Sequence, residues 1–422
     1  MMENFTLLSV VIFIMFLITA GMIIVRKIEF VRALPAFGII TALLAGVPIT
    51  GNGENIANFV IVQGVINLAE PMFIYVLSMM FAKFIIEYKI KNELYYLCEF
   101  YLMDKPVYLV WCIAIVTVII STVIMNIGAI MLSAILFISL LLKIGFNKQT
   151  ALSLLLLATG LGSCLNSGYH LLYANLLNLN LESVKDFYYI MAGLCFIALM
   201  VYISINSNMI KLQNWKKPAK QKVNFKLLCM VIMPVVFIYI LKINVECSLI
   251  LTLSYGYLVI GSKKPFIDLL FSLQEAIIKS VDVIVLLGAV GIFMHAVKTQ
   301  AVVDLMAPLL LHLLPQTPTG CLLFFTILTP LVLYKGPFNL QGMGAGLSTV
   351  VMASTTMNPM VLGMALLSLN TLRKIMDPID VQNIAVMQYI QVDNNKVIKK
   401  VLPYAMAINY FALFYALVAV ST

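Results

Sequence analysis

Lys335, Arg373, Lys374, Asp377 and Asp380 are the charged residues of this chain best placed for chemistry, because each lies within or just beyond a long apolar stretch. A charge held away from water is costly, so it is kept where it pairs with another charge or meets a charged solute. One reading joins Lys335 to Asp377 and so locks two segments together. The other has Lys335 or Arg373 attracting a carboxylate while Asp377, with Asp380 beside it, takes a coupling proton. His170 offers a further proton carrier, or else a hydrogen-bonded packing residue.

Neutral polar residues cluster in the same way. Met125-Asn126-Ile127-Gly128 interrupts one apolar run, and Lys335-Gly336-Pro337-Phe338-Asn339-Leu340-Gln341-Gly342 interrupts another. Each interruption is flanked by only about 15 apolar residues a side, short of a crossing of a hydrocarbon core about 30 Å thick. Each reads as the tip of a re-entrant hairpin, one spanning about 106–142 and the other about 319–356. Downstream of each tip lies a broken helix, about 150–174 and about 359–390. The first is interrupted over Gly160–Gly168 and the second at Met376–Asp380. A backbone that loses its helical partners exposes N–H groups suited to an anion and carbonyls suited to Na⁺. Asn126, Gly128, Ser163, Asn166, Ser167, Lys335, Asn339, Gln341, Ser368, Asn370 and Arg373 are therefore the candidate substrate-binding residues. Asp377, Asp380 and His170 are the candidate ion-coupling residues. Singly, small polar residues of this kind more often cement helix packing; it is their clustering in matching positions that points to a site.

The elements that must position them are transmembrane helices. Of 422 residues 62% are hydrophobic and only 11% charged, with a mean hydropathy of +1.03. A soluble domain could not hide so much apolar surface. No period-2 alternation suggests a β-barrel. The expected fold is all-α and polytopic, with about 11 transmembrane segments. The first apolar run, Phe5 to Val25, reads as a span with no cleavable leader. The seven cysteines show no C-x-x-C spacing, and neither a metal site nor a disulfide framework is expected.

Charge sets the orientation. Of the 27 Lys and Arg residues, 19 fall in loops on one side, three on the other (Lys185, Lys242 and Lys298) and five within or beside apolar segments. The bias places the N-terminus outside and the basic loop 207–226 in the cytoplasm. The net charge of +9 is thus a topology signal and not a mark of nucleic-acid binding. That loop divides the chain into a first repeat, 1–206, and a second, 227–422, which starts on the opposite side. The two are expected to be inverted repeats, each with its hairpin and broken helix.

This order of spans, hairpin and broken helix, repeated upside down, resembles the ion transporter superfamily. That group includes divalent-anion/sodium symporters, citrate and gluconate transporters and the membrane subunit of TRAP transporters. The stretch Thr122 to Leu132 is similar to the first hairpin of that group, whose tip often reads Ser-Asn-Thr; Asn126 matches, while Met125 and Ile127 depart. Gly160 to Gly168 is similar to its polar break, and Lys335 to Gly346 takes the place of its second hairpin with a different string. The resemblance implies a scaffold and a transport domain, often dimeric, moving an anion by an elevator-like motion with Na⁺ or H⁺.

The function expected is secondary active transport of a small organic anion, a carboxylate or sugar acid. Coupling is to H⁺ or Na⁺, in a bacterial cytoplasmic membrane, with the lipid bilayer and a second copy as partners. No cofactor beyond Na⁺ as a coupling ion is expected. The chain has no nucleotide-binding motif to power it otherwise. The alternative is a cation/proton antiporter on the same fold, with Asp377, Asp380, Glu70 and Asp282 as its carboxylates. A channel lacks a filter string. An enzyme is not expected, since the histidines at 170, 295 and 312 are scattered and no H-E-x-x-H or G-x-S-x-G occurs.

Overall fold

Apolar runs away from water satisfy their backbone most simply as helices, and every regular element among the described residues is helical. The computed structural model describes all residues except 1–5, 25–27, 103, 125, 178, 211–222, 261–264, 314, 316, 334–339, 341–358, 379 and 422. The first helices are α1 (Leu7–Ile24) and α2 (Phe30–Leu44). A π-helix (Ile56–Gln63) follows, continued by the single turn α3 (Gly64–Ile66). Next come α4 (Ala69–Glu87), α5 (Ile90–Leu102), α6 (Pro106–Val123), α7 (Asn126–Lys143), α8 (Lys148–Cys164), α9 (Ser167–Leu177) and α10 (Leu181–Asn206). Beyond the basic loop lie α11 (Phe225–Tyr239), α12 (Val245–Val259), α13 (Pro265–Lys298), α14 (Gln300–Leu313) and α15 (Pro318–Leu328). The chain closes with α16 (Pro359–Thr371), α17 (Arg373–Met376), α18 (Val381–Ile390) and α19 (Asn394–Ser421).

Asparagine starts many of these helices. The side chains of Asn147, Asn180 and Asn224 accept from the backbone N–H of Thr150, Glu182 and Leu227, and Asn55 caps the π-helix through Asn58. Each relieves one of the orphan donors of a first turn. Gly145, at φ +102°, makes the left-handed turn between α7 and α8 that a residue with a Cβ would resist.

Among the described residues two helices are long and apolar enough to cross a membrane: α10, extended to Met209, and α19. A third follows if the bent α13 counts as one span. The other apolar helices hold stretches of 10–17 residues, under the roughly 20 that a perpendicular crossing needs. Helix length alone therefore does not deliver the 11 segments expected. The bend in α13 is 54°, between Phe266–Asp282 and Ile284–Lys298. It falls where the sequence changes from an amphipathic stretch to an apolar one. The Ser280 hydroxyl donates to the Ala276 carbonyl one turn back, a bond that helps open a helix at such a point.

The pair α6 and α7 is a helical hairpin. α6 ends at Val123 and α7 starts at Asn126, and the feet of the pair meet at α5, where Lys143 of α7 pairs with Glu99 and lies over the Tyr95 ring. From the same end α8 sets off beside α6. Lys148 donates to the Ile390 carbonyl (3.0 Å), Lys400 to the Thr150 hydroxyl (2.6 Å) and the Tyr202 hydroxyl to the Thr150 carbonyl (3.0 Å). The start of α8, the ends of α10 and α18 and the first turns of α19 thus share one end of the bundle. Outward-facing residues between the ends are apolar and exposed, among them Ile115, Ile119, Phe196, Ile197, Leu251, Leu258, Phe411 and Phe414.

The largest core cluster joins α4–α10 to residues of α11–α13 and to α15–α19. A smaller one, built on Ile12, Phe16, Phe37, Phe293 and Met306, joins α1 and α2 to the second half of α13 and to α14. Glycine brings this second body close. A Cβ at Gly38 would press on Phe293 and Ala296, and one at Gly291 would strike the Gly64 carbonyl oxygen.

Gly291→Ala is accordingly expected to destabilise the folded protein by about 1–3 kcal/mol, since backbone must move to admit the methyl. Gly193→Ala, where nothing stands within 4 Å of the added carbon, should be neutral or stabilise by up to about 1 kcal/mol through helix propensity. Thermal midpoints of the two purified variants in detergent check the pair.

Candidate functional site

The first helix break is narrower than the sequence suggests. α8 continues through Gly160, Gly162 and Ser163 to Cys164, and only Leu165 and Asn166 separate it from α9. The two glycines serve packing instead. A Cβ at Gly162 would meet Ser121 and the Val118 carbonyl, and one at Gly160 would meet Ile375. The break frees carbonyls that must find partners. His170 supplies one, with Nε2 2.8 Å from the Cys164 oxygen. Buried Asn166 meets an N–H of the break and reaches α6: its Oδ1 accepts from Gly168 N–H (2.9 Å), while its Nδ2 donates to the Ser121 carbonyl near the end of α6 (3.2 Å). Asn166 thereby ties the hairpin tip to the break. Ser163 is buried and Ser167 exposed at the first position of α9. Asn126 opens α7, two residues after the bend at Ile124. Gly128 sits against Ile74 of α4 and lines a small cavity with Ser78, Ile124 and Val245.

The second break has the same logic with different residues. α16 ends at Thr371, α17 is a single turn, and Asp377–Asp380 leads into α18. Side-chain amides meet the freed carbonyls: Gln382 Nε2 donates to Lys374 O and Asn383 Nδ2 to Asp377 O, each at 2.9 Å. Asp380 caps α18 by accepting from Gln382 N–H at 3.2 Å. Ser368 and Asn370, candidate substrate-binding residues of the second broken helix, lie within α16. The Ser368 hydroxyl bonds back to Ala365 O. Asn370 Oδ1 accepts the Leu340 N–H at 2.8 Å, joining the second interruption to the second broken helix. Lys335, Asn339 and Gln341 lie outside the described residues, as does most of the hairpin expected over 319–356.

The two broken helices run in opposite directions and meet at their breaks. Lys148 at the start of α8 reaches Ile390 at the end of α18. Leu179, just past α9, lies against Gly363 in the second turn of α16. Between these contacts the breaks come together. Lys374 Nζ stands 2.8 Å from the centre of the Tyr169 ring. Tyr173, one turn further along α9, is within electrostatic reach of Arg373. Tyr188 of α10 backs both, against the His170 ring at 4.7 Å and the Tyr173 ring at 6.3 Å.

At the centre is a buried charge cluster. Arg373 is fully buried, with one terminal nitrogen 3.0 Å from Asp380 Oδ2 and 3.6 Å from Asp377 Oδ2. Its side chain is 0% exposed, that of Asp377 0% and that of Asp380 10%. The guanidinium is thus engaged by its own segment, where the sequence left it to meet a carboxylate from outside. Lys374, buried too, holds its charge on an aromatic face. The sequence reading missed Tyr169, Tyr173, Gln382 and Asn383. Their signal was spacing: two tyrosines four apart just past one break, and two amides just past the other. Among the described residues no group of three His, Cys, Asp or Glu side chains converges as a metal would require.

Arg373→Met strands two buried carboxylates, so a loss of about 3–5 kcal/mol is expected. Adding Asp377→Asn and Asp380→Asn should recover most of it. Thermal unfolding of the single and triple variants measures both; a triple variant no more stable than the single one would show that the cluster is not held by charge. No protein-family model matches this chain, and no curated protein matches it.

Proposed function

We propose that the chain is a secondary active transporter of a small organic anion, a carboxylate or sugar acid, coupled to H⁺ or Na⁺. The observation that carries this reading is the meeting of two oppositely running broken helices at a buried cluster of Arg373, Lys374, Asp377 and Asp380. A broken helix away from water is tolerated where it lines a ligand site or a cavity. Cationic groups there suit an anion, and carboxylates suit a coupling cation or proton.

The exposed apolar residues between the two ends support a multi-pass membrane protein. So do the two helices among the described residues able to cross, or three if the bent α13 is one span. On this reading the 11 segments form two inverted repeats about the basic loop, and the N-terminus is outside a bacterial cytoplasmic membrane. The short helices cross by tilting or by pairing across a break. The hairpins are re-entrant, Lys335 faces the substrate from the second tip, and the protein acts as a homodimer. Two core clusters bridged by the bent α13 suit an elevator, in which one body carries the site past the other. The second reading, a cation/proton antiporter, is favoured by the two buried carboxylates at the same place.

Uptake into proteoliposomes decides between these. The first reading expects accumulation of an organic anion driven by a Na⁺ or H⁺ gradient, lost in Lys335→Ala at unchanged expression. The antiporter expects cation-driven proton flux with no organic anion present. On a cysteine-free background, Met125→Cys and Leu340→Cys should label from opposite membrane faces; labelling of both from one face in every state would defeat the inverted hairpins.

A further inference from the structure

Resting on the reading of the chain as a multi-pass membrane protein, we infer that the start of α19 binds the phosphate headgroup of an anionic phospholipid, with the acyl chains lying along the outer face of the same helix. The chain enters α19 as Asp393-Asn394-Asn395-Lys396-Val397-Ile398-Lys399-Lys400. Lys396 and Lys399 stand three residues apart, so they share one side of the helix, and both are exposed. Lys400, half-buried beside them, donates to the Thr150 hydroxyl. Among the described residues none of these three enters an ion pair, whereas Lys83, Lys143, Lys185 and Arg373 each have a carboxylate. The acid of this segment, Asp393, has its Oδ1 on the Asn395 N–H.

The same face continues as apolar surface. Pro403, Ala407, Tyr410 and Phe414 follow Lys399 at steps of three or four, and all are exposed. At 1.5 Å per residue the row from Lys399 to Phe414 is about 22 Å long, which is about half the thickness of a bilayer with its headgroups. Helix α10 lies alongside, its Tyr202 ring 5.3 Å from the Tyr404 ring, and adds the exposed side chains of Val201 and Ile205. Two cations at the head of an apolar strip match an amphiphile that carries its phosphate at one end. A free phosphate would meet the lysines and leave the strip unused.

Charge complementarity selects the occupant. Helices α8 and α19 both begin at this end of the bundle, so two positive helix ends add to the lysines. A second copy docked here about a two-fold axis would set these lysines against their own kind. By the charge count this end faces the cytoplasm, and the leaflet on that side carries anionic headgroups that attract each nearby lysine.

The test follows the thermal midpoint of the purified full chain in a neutral detergent as dioctanoyl phosphatidylglycerol, dioctanoyl phosphatidylcholine or inorganic phosphate is titrated. Phosphatidylglycerol should stabilise the protein saturably; phosphatidylcholine and phosphate should not at the same concentrations. Lys396→Gln combined with Lys399→Gln should raise the half-saturating concentration of phosphatidylglycerol about tenfold or more. Salt at about 0.5 M should weaken binding to the wild type in the same direction. Lys242→Gln, exposed and on the other side by the charge count, should leave binding unchanged. Both exposed lysines lie outside the core, so the double variant keeps the fold. Equal stabilisation by the two lipids, or a double variant that binds phosphatidylglycerol as the wild type does, overturns the inference and leaves the multi-pass reading standing. Inorganic phosphate acting as well as phosphatidylglycerol overturns it too, since the site would then take a soluble anion. If the expressed chain stays in the supernatant when membranes are sedimented, the membrane reading itself falls and the inference falls with it.

Discussion

A helix that stops inside an apolar bundle leaves carbonyl and N–H groups that no solvent will meet, and this constraint shapes the centre of the molecule. Each break is tolerated because side-chain amides or an imidazole reach the freed backbone: Asn166 and His170 at one, Gln382 and Asn383 at the other. The same groups decide what lies beside each break. Asn166 spends its amide on the α6 carbonyl of Ser121, which fixes the hairpin tip there. Asn370 spends its oxygen on Leu340, which fixes the second interruption. Removing the breaks would remove the reason for these neighbours.

Charge neutrality is the second constraint and follows from the first. The breaks meet where all four charged residues are buried, so Arg373 is held there by carboxylates at ion-pairing range. Asp377 and Asp380 come from the same break that Arg373 introduces, four and seven residues on. A local segment thus carries its own counter-ions, and Lys374 is placed on an aromatic ring from the opposing helix. Among the described residues such a centre is balanced in charge, two cations against two carboxylates.

Around this centre the remaining helices divide by packing. Those that touch the breaks share the larger core, while α1, α2 and α14 pack through bulky rings and close glycine contacts on the far half of α13. The bend in α13 lets one helix serve both. His295 belongs to this second body: its Nδ1 lies 3.0 Å from the Phe59 carbonyl of the π-helix, where the wider helical turn needs such support.

The helical class and the interruptions near Asn126 and at Asp377–Asp380 were legible in the residues themselves, because apolar run length and interrupting polar residues are local properties. The extent of the first break was not. Gly160 and Gly162 read as helix breakers, yet they lie in an intact helix, since the close approach of Ser121 and Ile375 is a fact of packing and not of propensity. The bond from the Leu340 N–H to Asn370 was hidden for the same reason. So was the partner of Arg373: sequence puts acids four and seven residues away, but only the turn at the break brings both to one guanidinium nitrogen. The residue string by itself determined that the chain is helical and that its polar residues interrupt apolar runs in two places. Only the tertiary structure decided that the two broken helices run against each other, because which distant backbone groups satisfy one another depends on how whole helices pack.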